Sequence, residues 1–159
     1  MPVTIRPAVA ADSALILQFI RDLAEYEKLL DSVEATAGHV TAALFGENPR
    51  AFCDIAEIDG GPVGFALWFY NFSTFVGRHG IYLEDLFVRP EARGSGAGKA
   101  LLANLAKRCV DENLGRLEWS VLDWNAPSIA FYDSLGAAAL DEWIIRRMTG
   151  DALRKLAGV

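Results

Sequence analysis

The stretch from Ile81 to Lys99, IYLEDLFVRPEARGSGAGK, narrows the choice of folds more than any other part of the chain. Ile81 to Val88 is rich in β-branched and aromatic residues and is halted by Pro90, which predicts a strand inside a sheet. Gly94, Gly96 and Gly98 follow, and then Leu101, Leu102, Leu105, Ala106 and Cys109 keep helical spacing up to the stop at Asn113-Leu114-Gly115. A strand, a glycine-rich turn and a helix in that order is half of a layered α/β unit. The turn aims unpaired N–H groups, and the positive end of the helix, at whatever binds there, so an anion belongs at this point. Arg93 and Lys99 add mobile positive charge, and glycine lets a phosphate approach the backbone with no Cβ in the way.

Two nucleotide motifs fail against the same residues. A P-loop needs Gly-Lys-Ser/Thr, but Ala100 follows Gly98-Lys99 and Arg93 stands where its first glycine belongs. A dinucleotide fingerprint needs its third glycine one place later than Gly98.

Around this unit the pattern predicts a strand over Thr4 to Pro7 and a long amphipathic helix capped by Asp12, with Leu15, Phe19, Leu23, Tyr26 and Leu30 on one stripe. A short helix is expected over Ala35 to Phe45. A hairpin is expected from Ala51 to Ile58 and Pro62 to Tyr70, turned by Asp59-Gly60-Gly61, and Asn71 to Gly80 reads as a loop or ragged strand end. Leu117 to Leu122 reads as a strand and Pro127 to Leu135 as a helix. The remainder reads as a terminal β pair, with Trp143 to Met148 as one arm. The whole predicts an α/β (α+β mixed) fold, a mixed sheet flanked by helices on both faces, and 159 residues suit a single domain, 1–159.

With a formal charge of −6, the chain lacks the clustered basic residues that nucleic acid requires, and its apolar runs are too interrupted to span a membrane. Two cysteines and two histidines give no metal-ligand spacing, so no metal is expected. The N-terminal residues lack the apolar core of a signal peptide, and with so few cysteines a cytoplasmic setting is expected.

Arg93-Gly94-Ser95-Gly96-Ala97-Gly98 resembles the Arg/Gln-x-x-Gly-x-Gly/Ala signature of the GNAT superfamily of acyl-CoA-dependent N-acyltransferases. Trp124-Asn125-Ala126-Pro127-Ser128-Ile129-Ala130-Phe131-Tyr132, followed by Leu135-Gly136-Ala137, resembles that family's second cofactor motif. Ile5-Arg6-Pro7-Ala8, Leu23-Ala24-Glu25-Tyr26-Glu27 and Tyr82-Leu83-Glu84-Asp85-Leu86-Phe87-Val88 look like its spermidine/spermine and thialysine N-acetyltransferase branch. The resemblance runs from about residue 3 to residue 148.

It implies the GNAT fold, with a sheet splayed open between Ile81 to Val88 and Leu117 to Leu122, and acetyl-CoA as co-substrate. The backbone of Leu86, Phe87 and Val88 would bind the pantetheine arm. Arg93, Gly94, Ser95, Gly96, Ala97, Gly98 and Lys99 would hold the pyrophosphate, and Asn125, Ser128 and Tyr132 would line the thioester end. The acceptor would be a primary amine of a small diamine, polyamine or thialysine-like molecule, attacking directly in a ternary complex. An alkyl amine is neutral in only about 1 molecule in 10³ at pH 7, so its deprotonation costs about 4.6 kcal/mol and needs a base. The resemblance assigns that role to Glu84, through water, and assigns Tyr132 as the acid that protonates the departing thiolate.

Glu27, Glu84, Asp85 and Trp124 would contact substrate, and Glu142 lies near another acidic substrate position. In a regular strand Glu84 and Asp85 point to opposite faces, an assignment that a bulge would change. Cys109, mid-helix on the apolar stripe, argues against a covalent acetyl-cysteine route. Asn71 to Gly77 departs from the branch: polyamine enzymes of the human type carry an acid and a tryptophan there, where this chain has Ser73 or Thr74, and Phe75. A peptide or protein amine, an aminoglycoside, or a CoA-binding dimer without turnover are the competing readings. Apolar residues near the C-terminus, Trp143, Ile144 and Ile145, point to a homodimer.

Overall fold

The computed structural model describes residues 2–159, so Met1 lies outside them. The backbone divides into two compact units, one ending at Leu122 and the other Asp123–Val159.

The first unit is built on a five-stranded sheet in the order β1 (Val3–Pro7), β2 (Phe52–Ile58), β3 (Gly61–Ser73), β4 (Arg78–Val88), β5 (Leu117–Trp119). The first three pairings are antiparallel and β4 with β5 is parallel, the mixed sheet the pattern predicts. Helices α1 (Ser13–Tyr26) and α2 (Ala37–Phe45) cover one face. Their Ile16, Phe19, Val40 and Leu44 close a core on Cys53, Ile55, Phe65 and Phe87, and Phe19 stacks on Phe65 with ring centroids 5.3 Å apart. Strand residues alternate, so Asp54, Ala66 and Trp68 belong to the other face. There α3 (Ala97–Asp111) packs across β1 to β5, burying Leu101, Leu102 and Leu105. Arg108 of α3 lies over the Trp68 ring at 5.0 Å, and the Trp68 indole donates to Asp54 at 2.9 Å.

Three expectations change in this unit. Asp12 stands at the start of α1 without capping it: its carboxylate accepts both Arg6 guanidinium nitrogens, at 2.8 and 3.0 Å, and the Val9 amide at 2.8 Å. That bidentate ion pair is worth more to the side chain than one helix amide. The segment Asn71 to Gly80, read as a loop or ragged strand end, narrows to the end of the β3–β4 ladder, which runs on to Ser73 opposite Arg78, and a turn over residues 74–77 that closes at Gly77 with φ +73°. The last strand ends at Trp119 rather than Leu122, because β4 and β5 pair only from Ile81–Leu117 to Leu83–Trp119.

The second unit contains α4 (Ala126–Ser134) and α5 (Gly150–Ala157). Asn125 caps α4, its side-chain oxygen accepting the Ser128 amide at 3.4 Å, and Pro127 occupies the first turn. Among the described residues the expected terminal β pair is absent. Residues 141–149 form no ladder, and Trp143, Ile144 and Ile145 are 74%, 80% and 73% exposed, because an extended apolar run without a neighbouring strand has nothing to pair with. Helix α5 carries ordinary punctuation that the β reading passed over: Thr149 before it, Asp151 in the first turn, Arg154 and Lys155 in the last, and Gly158 at φ +80° after it.

Candidate active site

The defining irregularity lies in β4. Phe87 opposes Phe65 and Asp85 opposes Leu67, but the next pair is Leu83 with Trp68. Glu84 is therefore the extra residue of a β-bulge. The bulge switches the phase of the strand: Leu83 opposes Trp68 on the α3 face, whereas Asp85 opposes Leu67, whose side chain packs with the α1 core. Asp85 thus belongs with Phe87 on the face covered by α1, and Glu84 is exposed.

Burial pushes the Asp85 carboxyl up to about 7, helped by the negative charges of Glu84 and Glu27. Glu27, the residue that ends α1, is partly buried, and its own carboxyl is raised by that burial. The structure therefore brings together Glu27, Glu84 and Asp85 from the sequence reading. The β5 pairing stops one residue before the bulge, so from Glu84 to Val88 the edge of β4 that faced β5 pairs with no strand among the described residues. This is the opening implied for the sheet, and Leu86, Phe87 and Val88 lie along it.

At the end of β4, a 3₁₀ turn over Pro90–Ala92 leads into the glycine segment. Gly94 and Gly96 adopt φ of +81° and +90°, and a Cβ built at either would meet no atom within 4 Å. The Ala97 amide is taken by the Ser95 hydroxyl at 3.3 Å, and the Ser95 amide by Ala92 at 3.3 Å. The amides of Gly94, Gly96, Gly98 and Lys99 have no acceptor among the described residues. Free donors, open space and the positive end of a 15-residue helix fit a pyrophosphate. The Arg93 Nε donates to the Val88 carbonyl at 3.2 Å, and its guanidinium lies 5.0 Å from the Tyr26 ring and 5.8 Å from Phe87.

Beside these residues is a cavity of about 550 Å³ that the sequence reading did not single out, lined by Asp22, Glu25 and Tyr26 of α1 and by Phe87, Arg89 and Arg93. The signal available was the spacing of Asp22, Glu25 and Tyr26 on one helix face. In the second unit, Asn125 is buried, Ser128 and Tyr132 are partly buried on α4, and Trp124 is 47% exposed. Among the described residues no three His, Cys, Asp or Glu side chains are grouped to hold a metal, and no helix is long and apolar enough to cross a membrane.

A mixed sheet opened beside β4, with a glycine cradle at the head of α3, is the frame of an acyltransferase. The chain belongs to the Acetyltransferase (GNAT) family, which it matches over residues 17–137, and it is an N-acetyltransferase. Within the family it is 41% identical to the thialysine N-epsilon-acetyltransferase of Bos taurus, covering 98% of both chains. It is 32% identical to spermidine/spermine N(1)-acetyltransferase-like protein 1 of Homo sapiens, covering 96% of this chain and 23% of that one. Among solved structures, the integron cassette protein VCH_CASS6 from the mobile metagenome of V. cholerae superposes with a TM-score of 0.81 at 29% identity, covering 100% of this chain and 99% of that one.

Proposed function

We propose that this enzyme transfers an acetyl group from acetyl-CoA to a primary amine of a small diamine, polyamine or thialysine-like acceptor by direct attack in a ternary complex. The reading rests on one juxtaposition: Asp85, beside Glu27 and Glu84, sits where β4 loses its β5 partner. Relatives named for thialysine and for spermidine/spermine support the acceptor class.

Acetyl-CoA supplies the activated acetyl group. The free amides of Gly94, Gly96, Gly98 and Lys99 would hold its pyrophosphate, and the open edge at Leu86, Phe87 and Val88 would hold its pantetheine arm. Glu27 and Asp85 attract the acceptor as an ammonium ion. Glu84, exposed to water, takes the proton through a solvent molecule, and Asp85 is poised to share that work. A carboxyl near 7 rather than near 4 narrows the gap to an amine by up to about 4 kcal/mol, less what solvent screening removes at a partly exposed group. By their motif Tyr132 would be the acid that protonates the leaving thiolate, Asn125 and Ser128 would contact the cofactor, and Trp124 would contact substrate. The exposed Trp143, Ile144 and Ile145 support a homodimer, and the protein is assigned to the cytoplasm.

The test is release of free thiol when purified protein meets acetyl-CoA and a panel of amines. Turnover of at least one diamine, polyamine or thialysine is expected, and failure of all of them overturns the reading. Tyr132→Phe with wild-type turnover removes the acid assignment, and a dimer mass in light scattering checks the assembly.

A further inference from the structure

A buried carboxylate on the far face of the sheet stands behind the bulge. Asp54 of β2 is 3% exposed and belongs to the α3 face, away from Asp85. Its Oδ2 accepts the Trp68 indole N–H at 2.9 Å, a bond that runs diagonally from β2 to β3, since Phe52 is the residue opposite Trp68. Phe52 stacks on the Trp68 ring at 4.8 Å, Tyr70 meets it edge-on at 5.2 Å, and Arg108 of α3 lies over it at 5.0 Å. Arg108 and Tyr70 in turn donate to the two carboxylate oxygens of Glu112, at 3.1 and 2.7 Å. Burying a carboxylate is costly, and an apolar residue of similar size is often no less stable, so stability alone does not account for Asp54.

Trp68 occupies the register position on which the site depends. It opposes Leu83, the last residue of β4 before the bulge at Glu84, and its neighbour Leu67 opposes Asp85. A bulge is a choice of register. Closing this one would set Glu84 opposite Leu67 and Asp85 opposite Ala66, on the α3 face. Two anchors oppose that slip. Beyond the bulge, Phe87 packs with Phe19 and Phe65 in the apolar core. Before it, buried Leu83 is held opposite Trp68, whose indole is fixed by its directional bond to Asp54.

We infer that Asp54 is a positioning residue for acetyl transfer: through the Trp68 indole it pins β3 where the bulge forms, and so keeps Asp85 on the α1 face. The inference rests on the acetyl-transfer reading and adds to it a residue on the face opposite Asp85. The titratable groups near Asp85 are Glu84 of its own strand, Glu27 at the end of α1 and the Cys53 thiol of β2, which burial keeps neutral. Those near Asp54 are Cys53 of its own strand and Arg108 of α3. A bulge freed of one anchor frays before it slips, because slipping would bury Asp85 beneath α3. Water then reaches Asp85, and its carboxyl moves from about 7 toward the ordinary 3.8.

The experiment uses the full chain carrying Asp54→Leu, Trp68→Phe, both together, or Asp54→Asn, whose amide oxygen still accepts the indole N–H. The Asp85 carboxyl carbon is titrated by NMR, assigned by its absence in Asp85→Asn, and kcat/KM is followed against pH with an amine that is turned over. Asp54→Leu and Trp68→Phe are expected to lower both midpoints by about one pH unit or more and kcat/KM by about tenfold. The double variant is expected to lose no more than either single one, and Asp54→Asn to keep the wild-type midpoints. The KM for acetyl-CoA is expected to stay within about twofold, because the glycine cradle is untouched. Midpoints unmoved in both Asp54→Leu and Trp68→Phe, whatever their melting temperatures, overturn the inference. So does an Asp54→Asn that loses as much as Asp54→Leu. Trp68→Phe keeps a ring among Phe52, Tyr70 and Arg108, and decides the question if Asp54→Leu fails to fold. If no amine releases thiol, the acetyl-transfer reading falls, and the carboxyl titration still decides whether Asp54 holds Asp85 in place.

Discussion

Asp85 stands opposite Leu67 across the β3–β4 ladder, one step beyond the bulge at Glu84. That register brings a carboxyl of about 7 to the face beneath α1. A carboxyl raised by burial holds its proton in the folded protein where the unfolded chain has released it. Its contribution to stability is complete below the ordinary value of 3.8 and is lost as pH rises through about 7. Asp85→Asn removes that loss, so the variant gains on wild type from pH 4 to pH 8 by on the order of 1 to 3 kcal/mol, read from denaturant melts. For activity the sign reverses, because the ionised form binds ammonium and accepts protons. Wild-type kcat/KM climbs through about pH 7, and in Asp85→Asn that step is absent and the plateau falls roughly a hundredfold.

Gly96 begins α3 at φ +90° with open space where a Cβ would lie. Alanine there is strained by about 1 to 2 kcal/mol and pushes a methyl group into the phosphate cradle. Gly96→Ala is expected to lower the melting temperature by a few degrees and to raise the KM for acetyl-CoA about tenfold or more, with a smaller effect on kcat.

Gly64 carries a different constraint. A Cβ there would lie 2.5 Å from the Phe87 carbonyl oxygen and 3.1 Å from the Val88 α-carbon. Both obstacles are backbone of the strand that carries the site, so β3 and β4 must part to admit it. Gly64→Ala is expected to cost about 1 to 3 kcal/mol in denaturant melts and to reduce turnover through displaced Phe87 and Val88.

The Arg6 guanidinium holds the Asp12 carboxyl below its ordinary value, with the Val9 amide assisting. A lowered carboxylate contributes stability above the ordinary 3.8, and loses it as pH falls through the lowered value. Asp12→Asn therefore costs about 1 to 3 kcal/mol at pH 7, and the two proteins converge as the buffer is taken below pH 4.

Much of the frame was legible in the sequence because it depends on local signals. Pro90 ends β4, the three glycines open α3, and Asp59-Gly60-Gly61 turns β2 into β3. What stayed hidden was long-range. The bulge at Glu84 depends on how β4 meets β3, which no periodicity within Ile81 to Val88 reveals. The cavity joins Glu25 and Asp22 to Arg89 and Arg93 across more than sixty positions, so each charge taken alone reads as solvated surface. At the C-terminus, alternation in Trp143 to Met148 imitates a strand, but a strand exists only with a neighbour to pair with.

The half of β4 that β5 leaves bare has a further consequence for the protein in a crowded cell. Beyond Leu83 that half of β4 is an outer edge of the sheet, and a row of unshared backbone groups there is a template for any extended chain. Whatever occupies the groove from Glu84 to Val88 is then also the chain's shield against aggregation. Filling that groove is expected to stabilise the native chain, so proteolysis of the purified protein should slow when CoA is added.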